Sequence, residues 1–343
     1  MDSGSVLHES APMTRVAVTG GSGFVAGWCI AQLLDDGHDV VATIRSPGRE
    51  ADVRTAAGAG SPGALSFAIA DLARDGGWDD ALAGCEVVLH VASPMSVDES
   101  DADAMVTEAV DGTIRVLAAA DRAGARRVVM TSSCAASTPT GSQLTGTVDE
   151  ACWTDADEPG LSAYRRSKTV AERAAWDFVA QGRSFSLTTI LPAAVFGPAR
   201  SRAAVGPLGL IGSLLDGSAM AIPRLGFEIV DVRDVAAAHL LAMTDPAAEG
   251  QRFIVSGELL WFGDIADILR THLGDDATSV PTATITDDDF RALAELSPQL
   301  AGLLPLLGRE LEHSAAKARD VLGWRSRPAA ETVVDSARFL LAT

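Results

Sequence analysis

Short β-branched runs alternate with stretches of helical period along the first half of the chain. RVAVT (15–19), HDVVATI (38–44), ALSFAIA (64–70), EVVLHVA (86–92), RRVVMTSS (126–133) and SFSLTTILP (184–192) predict strands. FVAGWCIAQLLDD (24–36) predicts a helix, and further helical patterns fall at about 77–83, 102–123 and 161–181. The strand runs are apolar at nearly every position rather than at every second one, which demands burial on both faces. Strands separated by helices make βαβ units, so the fold class is α/β, a Rossmann-type doubly wound parallel sheet.

Past Pro192 the pattern loosens. Residues 193–225 are rich in Gly, Pro and Ala; a helical stretch at 231–245 and a strand at 251–255 follow. From 261 onward, short amphipathic patterns are punctuated by Pro281, Pro298, Pro305 and Pro328, as expected of a smaller, mostly helical lobe. Such a lobe closes over the carboxyl ends of the strands, where open α/β sheets bind ligands.

Charge narrows the partners. The net charge is −19, from 46 acids against 27 bases, and all but two of those bases are arginine. That balance disfavours nucleic acid and anionic membrane as partners, and no apolar run is long enough to span a bilayer. Cys29, Cys85, Cys134 and Cys152 are widely spaced, so neither a disulfide framework nor a metal site is expected and a reducing cytoplasm fits. An anionic ligand would need a specific basic patch against this background.

VTGGSGFVAGW sets Gly20, Gly21 and Gly23 between the first strand and the first helix. Glycines there let the chain turn tightly and bring N–H groups to a pyrophosphate at the helix N-terminus, whose dipole favours anions. Gly20, Gly21, Ser22, Gly23, Phe24 and Val25 are therefore candidate dinucleotide contacts. The position of a usual third glycine holds Ala26, still small enough for helix–strand packing. The second strand ends in Arg45, with Arg49 four residues on, where an NAD site carries an acid. A guanidinium can pair bidentately with a 2′-phosphate, so NADP(H) is the expected cofactor. Asp71, followed by Leu72 just past the third strand, is placed to meet the adenine amine. The organisation is then a mobile leader at 1–12, a dinucleotide-binding domain at 13–192 to which 226–257 returns, and a substrate-binding lobe over most of 193–343.

SAYRRSK (162–168) contains the only tyrosine of the chain and one of its two lysines, Tyr164 and Lys168. At i and i+4 on a predicted helix they share a face. A phenol titrates near 10, and a nearby ammonium lowers that value, so the pair reads as a tuned acid/base. VVMTSSCAAS ends a strand in Ser132 and Ser133, where a hydroxyl can hold a substrate oxygen. His90 also ends a strand, and is expected to pack beneath the cofactor rather than to catalyse.

These motifs, with VLHVASPM (88–95), DEACW (149–153), ILPAAVFGP (190–198), VDVRDVAAAH (230–239) and KARDVLGW (317–324), make the whole chain resemble the extended short-chain dehydrogenase/reductase family. The resemblance is to its dihydroflavonol reductase, cinnamoyl-CoA reductase and bacterial aldehyde/ketone reductase group. It implies Ser133, rather than Ser132, as the catalytic serine beside Tyr164 and Lys168. It implies that Lys168 bonds the nicotinamide ribose, that Val91, Ala92 and Ser93 line the cofactor, and that Pro192 and Val195 flank the nicotinamide. AAS, ending near Thr138, departs from the plant members and argues against plant flavonoid substrates. Met95, Thr138, Trp153 and Phe196 flank the motifs as a candidate apolar substrate pocket.

The expectation is a monomeric or homodimeric enzyme that reduces an aldehyde or ketone, reversibly, with NADPH. A nucleotide-sugar epimerase or dehydratase with bound NAD is one alternative, against which Arg45 counts. A non-enzymatic NADP sensor is another, with no need for the Ser133, Tyr164 and Lys168 set.

Overall fold

The computed structural model describes residues 13–342 apart from 59, 62, 95–101, 141–144 and 203–207, with backbone alone at 298 and 299. The leader expected at 1–12 lies outside the described residues. The first half runs β1 (Arg15–Val18), α1 (Phe24–Asp35), β2 (Asp39–Ile44), α2 (Glu50–Ala57), β3 (Leu65–Ile69), α3 (Trp78–Leu82), β4 (Val87–His90), α4 (Ala102–Arg122) and β5 (Arg127–Thr131). Next come β6 (Thr145–Val148), α5 (Ala163–Ala180), β7 (Ser186–Pro192), β8 (Ala194–Phe196), α6 (Gly209–Leu215), β9 (Gly226–Asp231) and α7 (Val232–Thr244). The chain continues with β10 (Arg252–Val255), β11 (Leu259–Trp261), α8 (Phe262–Leu273), α9 (Asp287–Ala294), α10 (Pro298–Ala301), β12 (Glu310–His313), α11 (Ala316–Leu322) and α12 (Ala329–Leu341).

Among the described residues the main sheet has seven strands in the order β3-β2-β1-β4-β5-β7-β10. Every pairing in it is parallel. Side chains alternate between its faces as the period of a strand requires. Val16, Val18, Val40, Val87, Leu89 and Val129 join one core with Ile30 and Leu33 of α1 and Val235 of α7. Ala17, Val41, Val88, Val128 and Met130 join the other, with Leu82 of α3 and Val116 and Leu117 of α4. Two cores explain why the strands lack a polar face.

The second lobe has its own core, where Leu208, Ile211, Leu214, Phe227, Phe262 and Val333 meet. A three-stranded sheet, β11-β9-β8, borders it, and β12 pairs with β6 as a separate ladder. The return of 226–257 to the first domain is narrower than expected. Helix α7 packs on α1 and β10 extends the main sheet, but β9 pairs with β8 and β11. Phe196 is also corrected: it is 2 % exposed and meets Phe227 edge-on at 6.5 Å, inside the lobe core rather than in a pocket. Among the described residues no helix is long and apolar enough to cross a membrane.

Truncating a buried aromatic forfeits its transfer energy and leaves a cavity. Phe196→Ala is expected to cost about 3–5 kcal/mol of stability. Thermal unfolding should show a lowered midpoint, while cofactor affinity of the folded variant changes little.

Candidate active site

Parallel strands deliver their ends to one edge, and the candidate residues collect there. At the end of β1, Gly20 adopts φ +68°, and the Gly21 N–H bonds Thr43 O at 2.8 Å. A Cβ on Gly20 would sit 3.0 Å from the Ala92 Cβ, and one on Gly21 would sit 2.9 Å from the Ala42 Cβ. The turn is thus wedged between the ends of β2 and β4, and only glycine fits. Gly23 caps α1 without a side-chain bond, so the amides of the first turn, at Phe24 and Val25, remain for an anion. Gly21, Ser22, Gly23 and Gly27 line a crevice closed by Ala56 of α2 and by Arg200 from the second lobe. A cradle that a Cβ would fill and an uncapped helix start both fit a dinucleotide pyrophosphate.

Arg45 stands exposed just past β2, whereas Arg49 turns back to Asp52 at 3.4 Å. Asp71 follows β3; its Oδ1 accepts the Ala73 N–H at 3.1 Å, and Leu72 packs closely against Gly112 of α4. Past β4, the Ala92 N–H donates to the Thr19 hydroxyl at 2.9 Å, which meets His90 Nδ1 at 3.0 Å. Val91 and Val195 are half-buried against the main core, and Pro192 ends β7 opposite Val255.

Ser133 begins the short turn after β5, with its Oγ accepting the Ala135 N–H at 3.1 Å. That bond uses one of the two lone pairs of the hydroxyl and leaves the serine hydrogen to be donated. Ser162 caps α5 by accepting the Arg165 N–H at 3.3 Å, which starts the helix so that Tyr164 faces the serine. The Tyr164 hydroxyl donates to Ser133 Oγ at 3.4 Å. Lys168 Nζ donates to Ser93 Oγ at 3.0 Å and lies 5.8 Å from the centre of the Tyr164 ring.

Electrostatics revise one expectation. The net shift of the Tyr164 phenol is upward, because burial outweighs the Ser133 hydrogen bond that lowers it. The ring is 39 % exposed, so solvent limits that rise. Burial also brings Lys168 down to about 8, opposed by the Glu172 carboxylate. His90 is lowered to about 3 by burial and by Lys168, so it is neutral near pH 7 and supports the turn through Thr19.

The pocket set fares worse. Met95 lies outside the described residues. Thr138 is buried, its hydroxyl donating to Cys134 O at 2.7 Å and meeting His313 Nε2 at 3.0 Å, so it has no hydrogen left for a substrate. Trp153 is held between guanidiniums, Arg252 at 3.6 Å and Arg173 at 5.0 Å from its ring centre. Both distances are within the range of a cation–π contact. Sequence reading missed Arg200, which stacks over Trp28 at 4.7 Å and donates to Ala57 O at 3.2 Å, tying the lobes beside the glycine turn. It also missed Glu172, although a third polar residue at the next i+4 step after Tyr164 and Lys168 was visible.

The model of the NAD dependent epimerase/dehydratase family matches residues 16–256. The chain belongs to that family, the extended short-chain dehydrogenases. Its place is in the cinnamoyl-CoA reductase, anthocyanidin reductase and Gre2-like reductase group. It is 34 % identical to a cinnamoyl-CoA reductase of Medicago truncatula, over 87 % of this chain and 92 % of that protein. It is also 34 % identical to the ketoreductase azaE of Aspergillus niger, over 80 % and 87 % of the two chains. The structure of yeast methylglyoxal/isovaleraldehyde reductase Gre2 complexed with NADPH superposes with a TM-score of 0.79 at 26 % identity, covering 96 % of this chain and 98 % of that one.

His90 and His239 are held by burial at about 3 and about 4, below the ordinary 6.5. Between those values the unfolded chain binds more protons than the folded one, so stability is full above 6.5 and is lost as pH falls. The thermal midpoint should therefore decline from pH 7 to 4.5, and His239→Asn should flatten that decline.

Proposed function

We propose that the protein is an NADPH-dependent reductase of aldehydes or ketones, working reversibly between carbonyl and alcohol. The approach of Tyr164 to Ser133 beside the glycine turn carries this reading. The printed activities of its relatives, cinnamoyl-CoA and keto reduction, support it.

The nicotinamide supplies hydride when bound. The amides of the glycine turn and of the start of α1 would hold its phosphates, Lys168 and Ser93 would meet the ribose side, and Pro192 and Val195 would border the ring. Ser133 donates its free hydrogen to the carbonyl oxygen and holds it. Tyr164 swings its O–H from Ser133 to that oxygen and gives up the proton as charge develops. A phenol raised by burial stays protonated near neutrality, the form a proton donor needs. The Lys168 ammonium on the same helix face then stabilises the phenolate left behind.

Tyr164→Phe keeps the ring and removes the proton. Turnover of a carbonyl panel, followed by NADPH absorbance, should fall by about 10² or more while NADPH still binds. Near-full turnover in that variant would sink the assignment of Tyr164.

Arg45 at the end of β2 is proposed to pair with the 2′-phosphate. A charge-assisted bond of that kind is worth roughly 1.5–3 kcal/mol, so its removal should cost roughly 10- to 150-fold in NADPH affinity. Affinity for NADH, which lacks the phosphate, should barely move. Arg49 can share the load, so Arg45→Asp is measured with and without Arg49→Ala. A wild type that prefers NADH, or a preference indifferent to both arginines, overturns this part of the reading.

A further inference from the structure

The tyrosine helix carries a second polar step inward. Tyr164, Lys168 and Glu172 fall four residues apart on one face of α5. Glu172 is fully buried, and so nearly is its partner, Arg252 of β10. Its Oε1 accepts from Arg252 Nε at 2.8 Å and from the Thr189 hydroxyl of β7 at 2.7 Å. Its Oε2 accepts from the Ser132 hydroxyl at 2.6 Å and from Arg252 Nη2 at 3.3 Å. All of these groups are donors, as is the Trp176 indole N–H at 3.4 Å from Oε1, and a carboxylate is acceptor-only. An amide in its place would turn an N–H₂ toward one of them.

Arg252 extends the network toward the substrate side. Its Nη1 donates to Glu150 O at 2.5 Å and to Cys152 O at 3.1 Å, and Nη2 reaches Ala136 O at 3.5 Å. Its Cζ lies over the Trp153 ring, 3.6 Å from the centre. One ion pair thus joins the strand end that bears Ser133, the helix that bears Tyr164, and the 150–153 loop. A buried pair is weak evidence of stability gained, because desolvation offsets its attraction. A role in placing the reacting groups explains its position better.

We infer that Glu172 is a positioning residue of the active site, which with Arg252 fixes the Ser133 strand end against α5 and sets a carboxylate one helical turn from Lys168. The inference rests on the proposed roles of Ser133, Tyr164 and Lys168. The Glu172 charge raises the Lys168 pKa against the burial that lowers it. Arg165 of α5, which Arg309 faces, is charged, whereas three other titratable groups bearing on this end of α5 are neutral near pH 7. They are His90 at the end of β4, the Tyr164 phenol and the buried Cys134 thiol, the last two raised by burial. The buried face of α4, which packs on α5, offers Met105, Ala109, Gly112, Thr113 and Val116 and no charge.

The composition supplies a direct test. The chain has two lysines, Lys168 and Lys317, so lysine labelled with ¹³C at Cε gives two side-chain signals whose titration NMR follows without any substrate. Glu172→Gln should lower the Lys168 midpoint by about 0.5–1 pH unit, the low end of the effect of a neighbouring charge, and leave Lys317 unmoved. The alkaline limb of kcat should fall to lower pH with it, and kcat should drop about tenfold with KM for the carbonyl little changed. Because Glu172→Gln leaves Arg252 unpaired, Glu172→Gln/Arg252→Met serves as the second variant. Without either charge it should recover thermal stability but not the Lys168 midpoint or kcat. A Lys168 midpoint unmoved in both folded variants, or kcat restored along with stability, overturns the inference and leaves the pair purely structural. Absence of carbonyl turnover in the wild type would instead overturn the reductase reading, and the lysine titration would still report on Glu172.

Discussion

Parallel pairing of the main sheet forces every one of its strands to finish on the same edge. All the chemistry of the chain follows from that constraint. β1 ends in the glycine turn, β2 in Arg45, β3 at Asp71, β4 at Ser93, β5 at Ser133 and β7 at Pro192. Crossover helices, required to connect parallel strands, cover both faces and leave that edge for the second lobe to close. The wedge of Gly20 and Gly21 between Ala92 and Ala42 is the tightest expression of this crowding. A side chain there would push apart the strand ends that the site is built upon.

Charge is placed against the background of the whole molecule. With 46 acids against 27 bases, several exposed arginines meet a carboxylate, as Arg122 does Asp79 and Arg224 does Asp287. Such pairs at the surface contribute little to stability. The cations of the site are treated differently. Arg200 spends its donors on helix carbonyls beside the glycine turn, and Lys168 donates to a serine. Neither forms an ion pair with a carboxylate among the described residues.

The first domain was legible because its signals are local. A strand buried on both faces is apolar throughout, and a glycine cluster between strand and helix has one structural use. The second lobe was not, for the same reason inverted. β6 and β12 form a ladder between Thr145 and His313, more than 160 positions apart, and neither TGTV nor ELEH has strand alternation strong enough to declare itself. β9 was hidden because the helical pattern after it drew the whole stretch toward the first domain. The pocket residues failed differently. Sequence adjacency to a motif says nothing about direction, and Thr138, Trp153 and Phe196 each turn away into hydrogen bonds, arginine stacking or core. Glu172 was missed although its spacing was plain, because a lone glutamate on a helix reads as solvated until its burial is known.

The same burial that tunes this site also costs stability. Lys168, lowered to about 8 from 10.5, is held charged where solvent no longer supports it. In that interval the unfolded chain binds more protons, so the strain is full below pH 8 and eases as the ammonium titrates at higher pH. Burial likewise disfavours the phenolate of Tyr164. Both shifts run against charge, yet the reaction as proposed must pass through a phenolate beside an ammonium. A phenol held neutral in the resting site gives up its proton only when a better acceptor, the oxygen made basic by hydride transfer, stands within reach. The arrangement therefore favours proton donation coupled to reduction, and the ammonium it strains to keep is what makes the product phenolate tolerable.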